Sequence, residues 1–234
     1  MESQIAEGLI YFVVFLFSTT LHEAAHAWTA HRLGDSTAYH GGQVSLSPIP
    51  HIRRSPMGML VIPLISVAVS GWPIGFASAP YNVAWSHTYP RRAALMSLAG
   101  PGANALLFIA AGLAIRIGSM TGIFSPPGSV TFGHLVGTDP DGWNYAVGFL
   151  LGAVFSMNLL LMVFNLIPLP PLDGSGAIPI FLDEATGQKY LALLHRAPGL
   201  ALLGLVVSWQ VINTLFHPIF LAAVNLIYPG VTYG

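Results

Sequence analysis

The chain has no cysteine among its 234 residues. Disulfides, thiolate metal ligands and a cysteine nucleophile are therefore excluded. It is also poor in charge. Asp, Glu, Lys and Arg make up 7% of it, against roughly 25% in a soluble domain. Such a chain cannot coat a globular surface with polar side chains. With 54% hydrophobic residues, its natural solvent is a lipid bilayer. The formal net charge is −1 and no basic run is present, so no nucleic-acid partner is expected. The N-terminus is not expected to be a signal peptide: residues 1–7 are acidic rather than basic, and the apolar run continues past signal-peptide length. Internal repeats and low-complexity tracts are absent, and the length suits one domain over residues 1–234.

What is present is a set of long apolar segments. Four of them, at 5–31, 93–117, 145–169 and 199–228, reach the ~20 residues that cross the ~30 Å hydrocarbon core. His217-Pro218 interrupts the last, leaving one bent helix or two short pieces. A fifth apolar run, 57–79, contains Pro63, Gly71, Pro73 and Gly75, so it either spans or dips in and returns. Charge placement favours the second option. Arg32, Arg53, Arg54, Arg91, Arg92, Lys189 and Arg196 all fall on one side if 57–79 does not cross, whereas the loop 118–144 carries Asp139 and Asp141 and no basic residue. By the positive-inside rule the basic side is cytoplasmic. Arg116 is the exception. Within 40–52, Gly41-Gly42 signals a turn, and Val44, Leu46 and Ile49 suggest a short strand. The expected fold is an all-α polytopic membrane protein. It has about four transmembrane helices, or five, plus a re-entrant apolar segment and a small membrane-associated β element.

Ionisable groups inside such segments are costly and face a cavity or a partner. Glu23 lies in the first span, within His22-Glu23-Ala24-Ala25-His26. On a helix, residues i and i+4 share a face, so His22 and His26 can ligate one metal ion. Glu23 is turned about 100° from His22, close enough to take a proton from a water that the metal activates. Two histidines leave a zinc site one protein ligand short. Glu184, His195 and His217 have no supporting motif. Asp173 does: it follows Asn165, Pro168, Pro170 and Pro171 at the end of the third span, with Gly174 allowing a turn after it. If the third span runs inward like the first, Asp173 reaches the side where His26 sits.

These motifs give the chain a resemblance. His22-Glu23-x-x-His26, then Ala99-Gly100-Pro101-Gly102-Ala103-Asn104, then Asn165…Pro168…Pro171-Leu172-Asp173-Gly174 resemble the site-2 protease family of intramembrane zinc metalloproteases. The resemblance covers most of the chain, 58–82 included. It implies one zinc ion per chain on His22, His26 and Asp173, with Glu23 as catalytic acid/base. It further implies that Asn165 holds the substrate or polarises its carbonyl. The substrate would be a transmembrane protein in the bilayer of a bacterial or archaeal cell membrane, cut toward the cytoplasmic side. Asn104 matches a family position, with a role in the site or in helix packing. Gly100, Gly102 and Ala103 suit close helix approach. Where many relatives have a second glycine after Leu-Asp-Gly, this chain has Ser175. No PDZ or CBS domain fits within its 234 residues, so a short, core-only member is expected. Oligomeric state is left open. An unwound substrate segment is expected to pair with a strand edge in 40–52. The alternatives are an ion transporter and a relative that binds transmembrane segments without cutting them.

Overall fold

The computed structural model describes residues 2–139 and 142–234. Met1 and Asp141, both used in the sequence reading, lie outside them. Ten helices follow in order: α1 (Glu2–Arg32), α2 (Thr37–His40), α3 (Pro48–Arg54), α4 (Met57–Ser70), α5 (Val83–Thr88), α6 (Pro90–Met120), α7 (Asn144–Asn165), α8 (Asp173–Ala177), α9 (Glu184–Arg196) and α10 (Pro198–Ile227). A 3-10 turn, Ile178–Phe181, joins α8 toward α9. Four helices, α1, α6, α7 and α10, are long and apolar enough to cross a membrane. At 1.5 Å per residue, the 31 residues of α6 extend about 46 Å, longer than the hydrocarbon core is thick.

α6 is the central helix. It packs on α1, α7, α8 and α9, while α10 leans on α7 and on α6. Small residues of α6, among them Ala94, Ser97, Gly100 and Ala111, are buried and let its neighbours approach. One apolar cluster joins Tyr11, Val14 and Phe15 of α1 to Phe149, Ala153 and Met157 of α7. Another joins Ile115, Phe155, Leu159, Phe220 and Val224 with Phe124, Leu135 and Val136 from the loop before α7. Burial of this kind is worth roughly 1.5–3 kcal/mol per large side chain where water is the alternative; against lipid the gain is packing.

The ends of several helices are gathered by basic side chains. Arg92 donates to the Leu33 carbonyl just past α1, and Arg91 donates to the Leu182 carbonyl before α9. Arg116 donates to the Ile227 carbonyl at the end of α10, where a cation suits the negative end of the helix dipole. That contact accounts for the one basic residue that the charge rule left over.

Residues 57–79 double back. α4 opens with a π turn at Met57–Val61 and is capped at Gly71, whose φ is +73°. The returning chain then meets it in reverse order: Ile74 N–H donates to Ser66 Oγ, Phe76 N–H to the Gly58 carbonyl, and Arg54 Nε to the Ser78 carbonyl. Gly58 and Gly75 make the crossing feasible, since a Cβ on either would collide with the backbone of the other strand of chain. α3 and α4 meet at a bend of 114°, so the pair counts as a fifth span only if it is taken as one broken helix.

Three expectations need correction or sharpening. The β element at 40–52 is not formed, and among the described residues the one β-type pairing is an isolated bridge between Ser125 and Gly137. Local side-chain bonds win in 40–52. Ser45 Oγ accepts from Ser47 N–H, Ser47 Oγ caps α3 by accepting from Ile49 N–H, and Pro48 occupies the first helical turn. The buried His51 ring then donates from Nε2 to the Ser45 carbonyl and closes the turn. The last span is one continuous helix, and Pro218 sits inside it. Proline within a membrane helix is tolerated because neighbours re-satisfy the freed carbonyl. α7 stops at Asn165 rather than 169, because the residue before Pro168 is biased away from helix.

Candidate metal centre

His22 and His26 lie one turn apart on the buried face of α1, each under a tenth exposed. Their Nε2 atoms are 3.0 Å apart. Asp173 begins α8 after the proline-rich turn that follows α7. Its Oδ2 is 3.0 Å from His22 Nε2, and its Oδ1 is 3.3 Å from His26 Nε2. The three side chains thus come from α1 and from a segment almost 150 residues downstream.

The proton positions follow from the partners. His26 Nδ1 is 2.7 Å from the Met96 carbonyl, which can only accept. His22 Nδ1 is 2.6 Å from Asn104 Oδ1, also an acceptor. Both imidazoles therefore carry their proton on Nδ1 and turn an Nε2 lone pair inward. That is the tautomer a metal ligand needs. Asp173 Oδ2 has no aligned hydrogen-bond donor despite its closeness to His22, and the buried Glu23 Oε2 has none either.

The donor set fits a divalent cation. Two lone-pair nitrogens and a carboxylate face one another with no donor between them, and a cation relieves that arrangement. Ligands bound to zinc at ~2.0–2.1 Å stand about 3.3 Å apart in a tetrahedron, close to the spacing seen here. Gly100 of α6 lies opposite. A Cβ there would fall against Nε2 of both histidines, so the absence of a side chain keeps the space open.

The chain is 34% identical over 210 residues to the "Putative zinc metalloprotease YwhC" of Bacillus subtilis, covering 86% of this chain and 84% of that relative. The chain belongs to the site-2 protease family. Proteins named "Putative zinc metalloprotease Rip2" from Mycolicibacterium smegmatis and Mycobacterium tuberculosis are 32% and 34% identical over 76% and 78% of this chain. The chain covers 59% and 62% of their lengths. No family model and no solved structure matches.

In this site-2 protease homologue, other candidates take other places. Glu184 opens α9, and His195 near its end is bound to His87 and Tyr81. His217 lines a cavity of about 490 Å³ with Thr131, Phe132 and Tyr233. Asn165 sits at the end of α7 and donates to the Leu161 carbonyl of its own helix, so it is not drawn into the three-residue cluster. Ser175, in the place of the second glycine, donates to the Leu172 carbonyl and helps set the turn that carries Asp173.

Sequence reasoning missed Asn158. This fully buried residue on α7 accepts from Asn104 Nδ2 at 2.8 Å and donates to Ser18 Oγ at 2.9 Å. The available signal was a lone asparagine in the apolar run of α7, which must find partners at that depth. Asn104 itself contacts the site, and its i, i+4 relation to Gly100 puts both on one face of α6.

Proposed function

We propose that this chain is an intramembrane zinc metalloprotease that hydrolyses peptide bonds within or near transmembrane segments of membrane-anchored proteins. The observation that carries this reading is the convergence of His22, His26 and Asp173 in a buried space between helices long and apolar enough to span a bilayer. The names of the relatives support the metal and the protease chemistry.

His22, His26 and Asp173 would hold the zinc ion. Once bound, zinc supplies Lewis acidity toward a water and a scissile carbonyl. Glu23 follows His22 on the same helix and is buried with a free carboxylate oxygen. Its role is to accept a proton from the attacking water and deliver it to the leaving amine. Asn165 is assigned the substrate backbone, which requires its side chain to leave the Leu161 carbonyl when a peptide arrives. The helix ends gathered by Arg91 and Arg92 are assigned to the cytoplasmic side, by the positive-inside rule.

Metal analysis combined with a Glu23→Gln variant tests the proposal. Purified wild type should contain about one zinc per chain. Glu23→Gln should keep that zinc and the fold, while cleavage of a co-expressed membrane-anchored substrate falls by about 10²–10⁴-fold. Wild type free of zinc, or Glu23→Gln cutting at the wild-type rate, would overturn it. Ion flux independent of zinc would identify a transporter instead.

A further inference from the structure

We propose that Asn158, acting through Asn104 and braced by Ser18, is a positioning residue that fixes the tautomer of His22 and thereby sets the affinity of the metal centre. The inference rests on the zinc reading above and adds residues to it.

The argument starts from a group whose role cannot change. The carbonyl of Val154 only accepts, and the Asn158 side chain lies 2.8 Å from it, so the atom facing it is the amide nitrogen. The same nitrogen reaches Ser18 Oγ at 2.9 Å and so uses both its protons. Asn158 Oδ1 must then be the atom facing Asn104, 2.8 Å away, which requires Asn104 to present its own nitrogen there. Asn104 Oδ1 is left facing His22 Nδ1 at 2.6 Å. That nitrogen must carry the proton, and Nε2 is left with its lone pair toward His26 and Asp173.

Reversing Asn158 alone would set its oxygen against the Val154 carbonyl and its nitrogen against that of Asn104, and reversing Asn104 alone would set its oxygen against that of Asn158. Ser18, Asn104 and Asn158 are each 0% exposed, so no water offers an alternative partner. Three helices meet in this chain: Ser18 from α1, Asn104 from α6 and Asn158 from α7. His26 reaches the same end in one step through the Met96 carbonyl. The two ligands are thus both anchored to backbone carbonyls, one directly and one through two amides.

The test measures metal binding rather than turnover. It uses the full chain in detergent or nanodiscs, in a Glu23→Gln background that prevents self-cleavage. Zinc affinity is read by competition with a chromogenic chelator, and ligand geometry by the visible absorption of the cobalt(II)-loaded protein. Asn158→Leu breaks the relay at similar volume, and Asn158→Ser breaks it while keeping a hydroxyl for the Val154 carbonyl. Each should weaken zinc binding by about 10–100-fold and alter the cobalt spectrum. Ser156→Ala removes a buried hydroxyl from the same helix outside the relay and should change neither readout. Should Asn158→Leu fail to fold, Asn158→Ser decides. Undiminished affinity in the folded breaking variants, or equal weakening by Ser156→Ala, would overturn the relay. A parent chain that binds no zinc would overturn the relay and the metalloprotease reading together.

Discussion

His22 and His26 on α1, and His87 and His195 on α5 and α9, form two pairs of almost equal spacing. The ring nitrogens approach to 3.0 Å in the first pair and to 2.9 Å in the second. Their surroundings differ. In the first pair each Nδ1 is occupied by an outside acceptor, so both Nε2 atoms are released toward one point, where Asp173 also arrives. In the second, His195 uses both nitrogens, one on His87 and the other on the Tyr81 hydroxyl. Its one N–H and its one lone pair are both engaged in a line, and no nitrogen is released toward a centre. Among the described residues no third metal-binding group joins it. Proximity of imidazoles is therefore a poor guide to a metal site. The occupancy of the far nitrogen decides whether the near one is free to ligate.

The contrast can be broken most severely at Gly100. Gly100→Ala places a methyl group against both Nε2 atoms, and zinc affinity should fall by at least about 100-fold while the helical content by circular dichroism stays unchanged. An alanine variant that still holds one zinc per chain would show that the opening opposite the histidines is not needed. At the second pair the expected effect is smaller and depends on acid. Burial and the neighbouring His87 hold His195 below the ordinary histidine range. The unfolded chain then binds the proton more readily than the fold does, so stability rises with pH through that window. Lowering the pH from about 7.5 to about 5.5, across the ordinary pKa of ~6.5, should lower the protection factors of residues 184–196, so that their exchange slows less than the intrinsic rate does. His195→Phe should remove most of this acid sensitivity and leave zinc stoichiometry untouched. Loss of zinc from His195→Phe would erase the distinction between the two pairs. The smallest effect is expected at Leu46, which is 73% exposed in a segment that forms no strand. Leu46→Pro should shift stability by no more than about 0.5 kcal/mol and leave cleavage of a membrane-anchored substrate unchanged. A large loss of cleavage would mean that 40–52 becomes extended when substrate binds.

Much of the site was legible because it follows local rules. The spacing of His22 and His26 fixes a shared face on any helix, and Asp173 stands out as a carboxylate beside helix-breaking prolines. The long spans were legible from hydropathy alone, since α1, α6, α7 and α10 each exceed the length a bilayer demands. What escaped notice depends on partners distant in sequence. Asn158 is uninformative until Asn104 and Ser18 are brought against it from two other helices. The alternation of Val44 and Leu46 resembled a strand, but Ser47-Pro48 is an N-cap followed by a first-turn proline, and that helix-start signal was the stronger one. The short helix α5 carried a comparable signal, with Asn82 accepting from the N–H groups of Ala84 and Trp85.

The doubled-back segment has a consequence for the solvent. The helix Met57–Ser70 is 14 residues long, so it extends only about 21 Å before the chain reverses. Peptide groups in the non-helical return cannot rest in hydrocarbon unless moisture or other protein covers them. Lodged in a bilayer, this wedge would hold the acyl chains apart and carry a hydrated seam below the headgroups, bringing the second reactant of hydrolysis into a layer that otherwise excludes it.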